Sequence, residues 1–296
     1  MAERWEHQRE RGARWAMLLL FWIARKLGRR TTRLFLYPIT AYFLLTARAQ
    51  RAASRDYLRR VLPHAPGWRD VARHFFTFAA VSLDRIFWLI GSGQQPEVTA
   101  HRPDEVYRAE HSGGCLILVA HYGSFEVRQD SKSTQHEVPL RIVMDRAHGR
   151  MFTQLLERTK PEVARSVIDA SQSGPSLMLE IKQALDGGAM VGLMADRVRA
   201  GERAVTVDFL GGKARLPAGP WIMAGVLGVP VVIGFGIYRG GRHYDACFEL
   251  IAERVQLPRV GREAAIQAYA QRYAERLEHY VREAPYNWHN FYDFWS

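Results

Sequence analysis

The chain has 296 residues, of which 48% are hydrophobic and 24% charged, and a formal net charge of +11. That length accommodates one large domain or two small ones. The apolar content excludes a disordered chain, and Gly and Pro are too sparse for a fibrous one. Two cysteines, Cys115 and Cys247, exclude a disulfide framework and a four-cysteine zinc site. Each sits in an apolar run and reads as a small buried hydrophobe of a reducing compartment.

The charge is concentrated at one end. Residues 1–60 hold 14 Lys and Arg against 4 Asp and Glu, whereas the rest of the chain holds 27 against 26. A nearly neutral body thus carries a cationic arm, which implies an anionic surface as partner, either nucleic acid or a membrane. Within the arm, Trp15 to Ala24 (WAMLLLFWIA) is apolar, five cations follow from Arg25 to Arg33, and Leu34 to Ala47 is apolar again around Pro38. A spanning helix needs about 20 consecutive apolar residues. Neither run reaches that, so the sequence predicts two short helices lying in the membrane interface, anchored by arginines on the cytoplasmic face of an inner membrane. A single tilted span with snorkelling arginines is the alternative. The run lacks the small-residue cleavage site of a secretory signal. A nucleic-acid arm has no need of three Trp and five Phe or Tyr within 45 residues.

A break at residues 63–67 (PHAPG) divides the chain into an arm, 1–62, and a body, 63–296. Trp68 to Ile90 has helical apolar spacing and ends at Gly91 to Gln95. From about residue 112 the pattern alternates. Strands are predicted at Cys115 to Ala120, Val138 to Met144, Ser166 to Asp169, Met190 to Ala195, Val205 to Leu210, Val229 to Tyr238 and Tyr244 to Leu250. Helices are predicted at Met151 to Arg158, Ser176 to Leu185, Pro217 to Leu227 and Arg262 to Arg282. The last carries Ile266, Tyr269, Tyr273, Leu277 and Tyr280 on one face. Such interleaving predicts an α/β fold on one mixed central sheet flanked by helices.

In open α/β sheets the working groups gather past the carboxyl ends of strands. After CLILVA stands His121, in AHYGSFEV, with Glu126 five residues on and a helix start indicated at Gly123 and Ser124. A carboxylate on one imidazole nitrogen fixes the tautomer and leaves the other nitrogen as a general base. A satisfied loop histidine beside a first-turn acid is the bland counterpart. The next strand tips carry Asp145 and Arg146, with His148 and Arg150 nearby, and Asp196 and Arg197, with Arg199 beyond. They suit a phosphate or a thioester carbonyl, or plain surface ion pairs. The Gly-rich stretch Phe209 to Pro220 is no Walker loop, because Ala214 follows Lys213. No G-x-S-x-G, H-E-x-x-H or G-x-G-x-x-G is present, and Cys115 lies inside a strand, poorly placed as a nucleophile.

In this order the features resemble the lipid A biosynthesis late acyltransferases of the lysophospholipid/glycerolipid acyltransferase superfamily. The likeness rests on the basic apolar N-terminus, the His121–Glu126 motif, Arg146, Asp196, and Phe209-Leu210-Gly211-Gly212-Lys213-Ala214 with Pro217-Ala218-Gly219-Pro220. The resemblance implies transfer of a fatty acyl group from an acyl carrier protein thioester, or from coenzyme A, to a lipid hydroxyl. In it His121 is the base and Glu126 orients it. Arg146, Asp196 and Arg197 hold the acceptor or the phosphopantetheine arm, and neither a metal nor a bound cofactor is needed. Expected partners are acyl carrier protein, a lipid acceptor and the membrane, with no nucleic acid. The segment Arg128 to Glu137 is more polar than that pattern implies. The ending WHNFYDFW (Trp288 to Trp295) is similar to that of acyltransferases found with aryl-polyene pathways, which keeps a second acceptor class open. It packs the core or lines an acyl channel. The contrasting reading is a catalytically silent membrane-surface binding protein. A hydrolase lacks the nucleophile it needs.

Overall fold

A strand that is apolar at every position is stable only when both of its faces are covered, and strands of this kind form the centre of the fold. The computed structural model describes residues 22–23, 26, 28–90, 96–125, 138–145, 157 and 161–295. Helices α1 (Leu36–Thr46), α2 (Arg48–Val61) and α3 (Trp68–Ile90) precede strand β1 (Glu97–His101) and helix α4 (Asp104–His111). Then come β2 (Cys115–Val119), β3 (Leu140–Met144), α5 (Pro161–Arg165), β4 (Val167–Asp169), α6 (Gly174–Asp186) and β5 (Met190–Met194). The chain continues through β6 (Ala204–Phe209), β7 (Gly212–Pro217), α7 (Gly219–Leu227), β8 (Val231–Gly240), β9 (His243–Ala252) and α8 (Arg262–Glu283).

Seven strands form one mixed sheet in the order β1-β9-β8-β2-β5-β3-β4, parallel at every pairing except β8 with β9. Side chains alternate across β2. Leu116 and Leu118 join a core with Ile266, Tyr273 and Leu277 of α8, while Cys115 and Ile117 join a second core with Val81, Leu83 and Phe87 of α3. The sheet is therefore the middle of three layers, and each fully buried Leu or Ile contributes roughly 2 kcal/mol. The mixed α/β fold expected from the sequence is present, and the helix at Trp68–Ile90 has the expected bounds. The helix read at Met151 to Arg158 lies outside the described residues apart from Glu157, which is helical.

Five elements escaped the sequence pattern: α2, β1, α4, α5 and β7. The Gly-rich stretch is a hairpin. Leu210 (φ 49°) and Gly211 (φ 74°) are both left-handed, as a two-residue turn with strand-compatible twist requires, and β6 pairs with β7 around them.

The arm residues from 28 onward are built into the body. Tyr57, Leu58 and Val61 of α2 lie in the same core as the sheet, so packing continues across residue 62. Residues 28–34 are helical and present Arg29 to Asp84 of α3. The guanidinium meets both carboxylate oxygens at 2.7 and 2.8 Å, and Tyr244 donates to the same carboxylate at 2.9 Å. Opposite this docked side, Leu34, Tyr37, Tyr42 and Leu45 form a solvent-facing stripe at helical spacing, each more than half exposed. No helix among the described residues is long and apolar enough to cross a membrane.

Because Asp84 is fully buried, removing its cation strands a charge. Arg29→Ala is expected to lower unfolding free energy by about 3 kcal/mol in urea denaturation at neutral pH. Adding Asp84→Asn should restore part of that loss, and equal stability of wild type and Arg29→Ala would refute the pairing.

Candidate active site

Strands β2 and β5 are adjacent and parallel with Val119 opposite Met194, so the residues two positions beyond each end come side by side. Those residues are His121 and Asp196. His121 Nδ1 lies 2.8 Å from Asp196 Oδ1, and the His121 backbone N–H donates to Asp196 Oδ2 at 3.0 Å. The carboxylate is 1% exposed and the imidazole side chain 33%. Burial alone would raise the pKa of Asp196, but the neighbouring imidazole and the Arg197 guanidinium outweigh it and hold the carboxyl well below its usual range. An ionised acceptor on Nδ1 means that Nδ1 carries the proton and Nε2 a lone pair. Nε2 has no hydrogen-bond partner among the described residues. Burial, then Arg197, lowers the pKa of His121 against the opposing pull of Asp196, so the ring is neutral at physiological pH.

His121 lines a cavity of about 390 Å³. Its floor is the sheet face bearing Ile117 and Val119, where Gly192 of β5 and Gly234 and Gly236 of β8 supply no side chains. At Gly234 an added Cβ would come within 3.1 to 3.2 Å of Phe248 and Ile117. Ile142, Met144 and Phe248 contribute apolar lining, and Arg85, Asp145, Arg197, Arg199 and Glu202 join His121 as its charged lining. The arrangement offers one base, several cationic donors and room for an apolar chain.

The segment after α8 closes the site from the other side. Gly123 N–H donates to Asn287 O, and His289 N–H donates to His121 O, both at 2.8 Å. Arg197 donates to the carbonyl of His289 at 2.8 Å and stacks over Tyr292 at 5.2 Å. Trp288, 1% exposed, packs edge-on against Tyr57, Phe209 and Phe294. The aromatic ending therefore packs in the core and also touches the His–Asp pair, since the Trp288 indole donates to Asp196. Gly123, at φ 58°, is pressed so close to β8 that a Cβ there would lie 1.8 Å from the Gly236 oxygen.

The structure thus brings His121, Asp196 and Arg197 together. Asp196, expected from its strand tip to hold substrate, instead has both oxygens engaged by His121 and Trp288 and does not line the cavity. Glu126, Arg146 and the polar segment Arg128 to Glu137 lie outside the described residues. Sequence reasoning missed Arg85 and the tail's part in the site. The helical pattern of residues 68–90 is silent on which polar position turns toward the sheet tips. The signal for His121 with Asp196 was available: each stands two residues past the end of an apolar strand.

Two buried imidazoles, His74 and His289, and the partly exposed His121 are held neutral at this end of the molecule. Burial pushes His74 down to about 4 and His289 well below its ordinary value, and His121 is also lowered. Below pH 6.5 the unfolded chain takes up protons that the folded chain refuses. Stability should therefore be full above pH 6.5 and fall as pH drops from 6.5 toward 4, read as a falling urea midpoint. A flat profile across that window would contradict neutral burial.

No curated protein matches the chain. The family model for bacterial lipid A biosynthesis acyltransferases matches residues 2–296, nearly the full length. With the mixed sheet and the His121 site at its strand tips, the chain belongs to the bacterial lipid A biosynthesis acyltransferase family.

Proposed function

We propose that this acyltransferase moves a fatty acyl chain from an acyl carrier protein thioester to a hydroxyl of a lipid A precursor, with His121 as general base. The observation that carries the reading is His121 in the lining of a largely apolar cavity, with Nδ1 held by an ionised Asp196 and Nε2 unpartnered among the described residues. Nε2 takes the proton of the acceptor hydroxyl, and the oxygen attacks the thioester carbonyl directly. The tetrahedral intermediate collapses with loss of the thiolate, which recovers the proton from the imidazolium. Asp196 stabilises that imidazolium while it exists. Arg197, lining the cavity beside His121, suits the developing oxyanion or the phosphate of the phosphopantetheine arm. The apolar lining takes the acyl chain. Arg146, next to the cavity-lining Asp145, and Glu126 remain in this reading as groups of the same site, with the orienting role given to Asp196.

His121→Ala should lower kcat by about 10²- to 10⁴-fold with acyl-carrier-protein thioester and lipid A precursor. Asp196→Asn should cost more in kcat than Glu126→Gln. Undiminished turnover in His121→Ala would remove the base and favour a silent binding role. A panel of lipid acceptors decides the acceptor: turnover confined to lipids other than lipid A precursors would move it elsewhere while leaving the chemistry in place.

The same reading sets the enzyme on the cytoplasmic face of the inner membrane, with the exposed stripe of α1 and the neighbouring arginines against the lipid. Leu34, Tyr37, Tyr42 and Leu45 supply the apolar contact, while Arg30, Arg48, Arg55 and Arg59 are exposed cations along the same arm. The full chain should co-sediment with phosphatidylglycerol vesicles, less so at high salt. Leu34→Ser/Tyr37→Ser/Leu45→Ser should release it, and unchanged sedimentation of that variant would refute the contact.

A further inference from the structure

We propose that Trp288 is a positioning residue of the reaction: its indole N–H holds the second oxygen of Asp196 and thereby keeps the carboxylate on His121 Nδ1. The proposal rests on the general-base reading of His121. A carboxylate turns easily about its last side-chain bond, where the torsional preference is broad and two-fold. Asp196 Oδ1 meets Nδ1 of His121 at 2.8 Å, and Oδ2 accepts from the His121 backbone at 3.0 Å and from Trp288 Nε1 at 3.2 Å. Two of these donors belong to the residue being oriented. Trp288 is, among the described residues, the hydrogen-bond donor to Asp196 that comes from outside His121, and it ties the pair to a different part of the fold.

That part is rigidly held. The Trp288 carbonyl accepts from His74 Nε2 at 2.8 Å, and His74 Nδ1 in turn accepts from the Ser54 hydroxyl at 2.8 Å. The first contact lies on α3 and the second on α2, so a chain of buried hydrogen bonds runs from the arm to the His–Asp pair. Tyr122 and Trp288 form an antiparallel bridge one residue past His121. Tyr57, Phe209 and Phe294 fix the ring edge-on with centroids 4.8 to 5.2 Å away. Packing of this kind asks only for an aromatic ring of that size. The N–H adds a polar group that a dry core tolerates only with a partner, and the partner is the carboxylate.

The test replaces Trp288 in the full chain by its benzothiophene isostere, which keeps the ring volume and lacks the donor, with Trp288→Phe as a second variant. Histidine-15N labelling follows the low-field Nδ1 proton of His121, and turnover is measured with acyl-carrier-protein thioester and lipid A precursor. The expected result for the isostere is an upfield shift or loss of that proton signal and a fall in kcat of about tenfold. KM should stay within about twofold, and the melting temperature should be nearly unchanged. An unmoved Nδ1 signal with unchanged kcat overturns the proposal. So does a loss of melting temperature and activity with the Nδ1 signal unmoved, which would make Trp288 a packing residue only. Full activity of His121→Ala would instead overturn the base reading, and the Nδ1 signal of the isostere would still decide whether Trp288 holds the carboxylate.

Discussion

An ionised carboxylate 1% exposed to solvent is stable only when donors surround it, and the working end of this molecule is arranged around that requirement at Asp196. An isolated buried charge would neutralise rather than persist. Here the imidazole and backbone of His121, the indole of Trp288 and the nearby charge of Arg197 together keep it ionised. Each donor comes with its own supports. The His121 loop is fixed against β8 and the tail, the tail against α3, and α3 against the arm helices. The polar chemistry of one residue thus accounts for why segments remote in sequence converge on one strand tip.

The cavity beside that carboxylate owes its shape to missing side chains. Parallel strands buried on both faces are ordinarily packed solid, yet Gly192, Gly234 and Gly236 clear the face of the sheet that leads to His121. Space of this kind is costly to leave open in a core, where every buried methylene contributes to stability. That space lies beside His121.

The N-terminal segment combines two roles that composition alone makes look like one. Its arginines and aromatic residues mark it as cationic and apolar. From residue 28 onward, however, it divides between a face bound into the body, through Arg29 with Asp84 and through Tyr57 and Leu58, and a face left to solvent. Helices so attached cannot move against the body without breaking a buried ion pair. Whatever surface the exposed stripe meets therefore stands at a set distance and angle from the cavity.

The sequence by itself determined the layered α/β fold, because apolar strands and amphipathic helices announce themselves by period and length. Cys115–Val119, Trp68–Ile90 and Arg262–Glu283 were legible for that reason. It also marked His121, since a polar residue directly after an apolar strand stands where such sheets gather chemistry. The strand β1 is short, and the helices α2 and α4, although amphipathic, set few apolar residues among many charges and so were passed over. Only the tertiary structure showed that Asp196, 75 residues away in the chain, meets the histidine: the register of two parallel strands brings it to 2.8 Å. Pairing register is a property of the assembled sheet, which no local pattern encodes. The same holds for Trp288: its aromatic character was plain in the sequence, but the direction of its N–H was set by packing against α2, β6 and the rest of the tail.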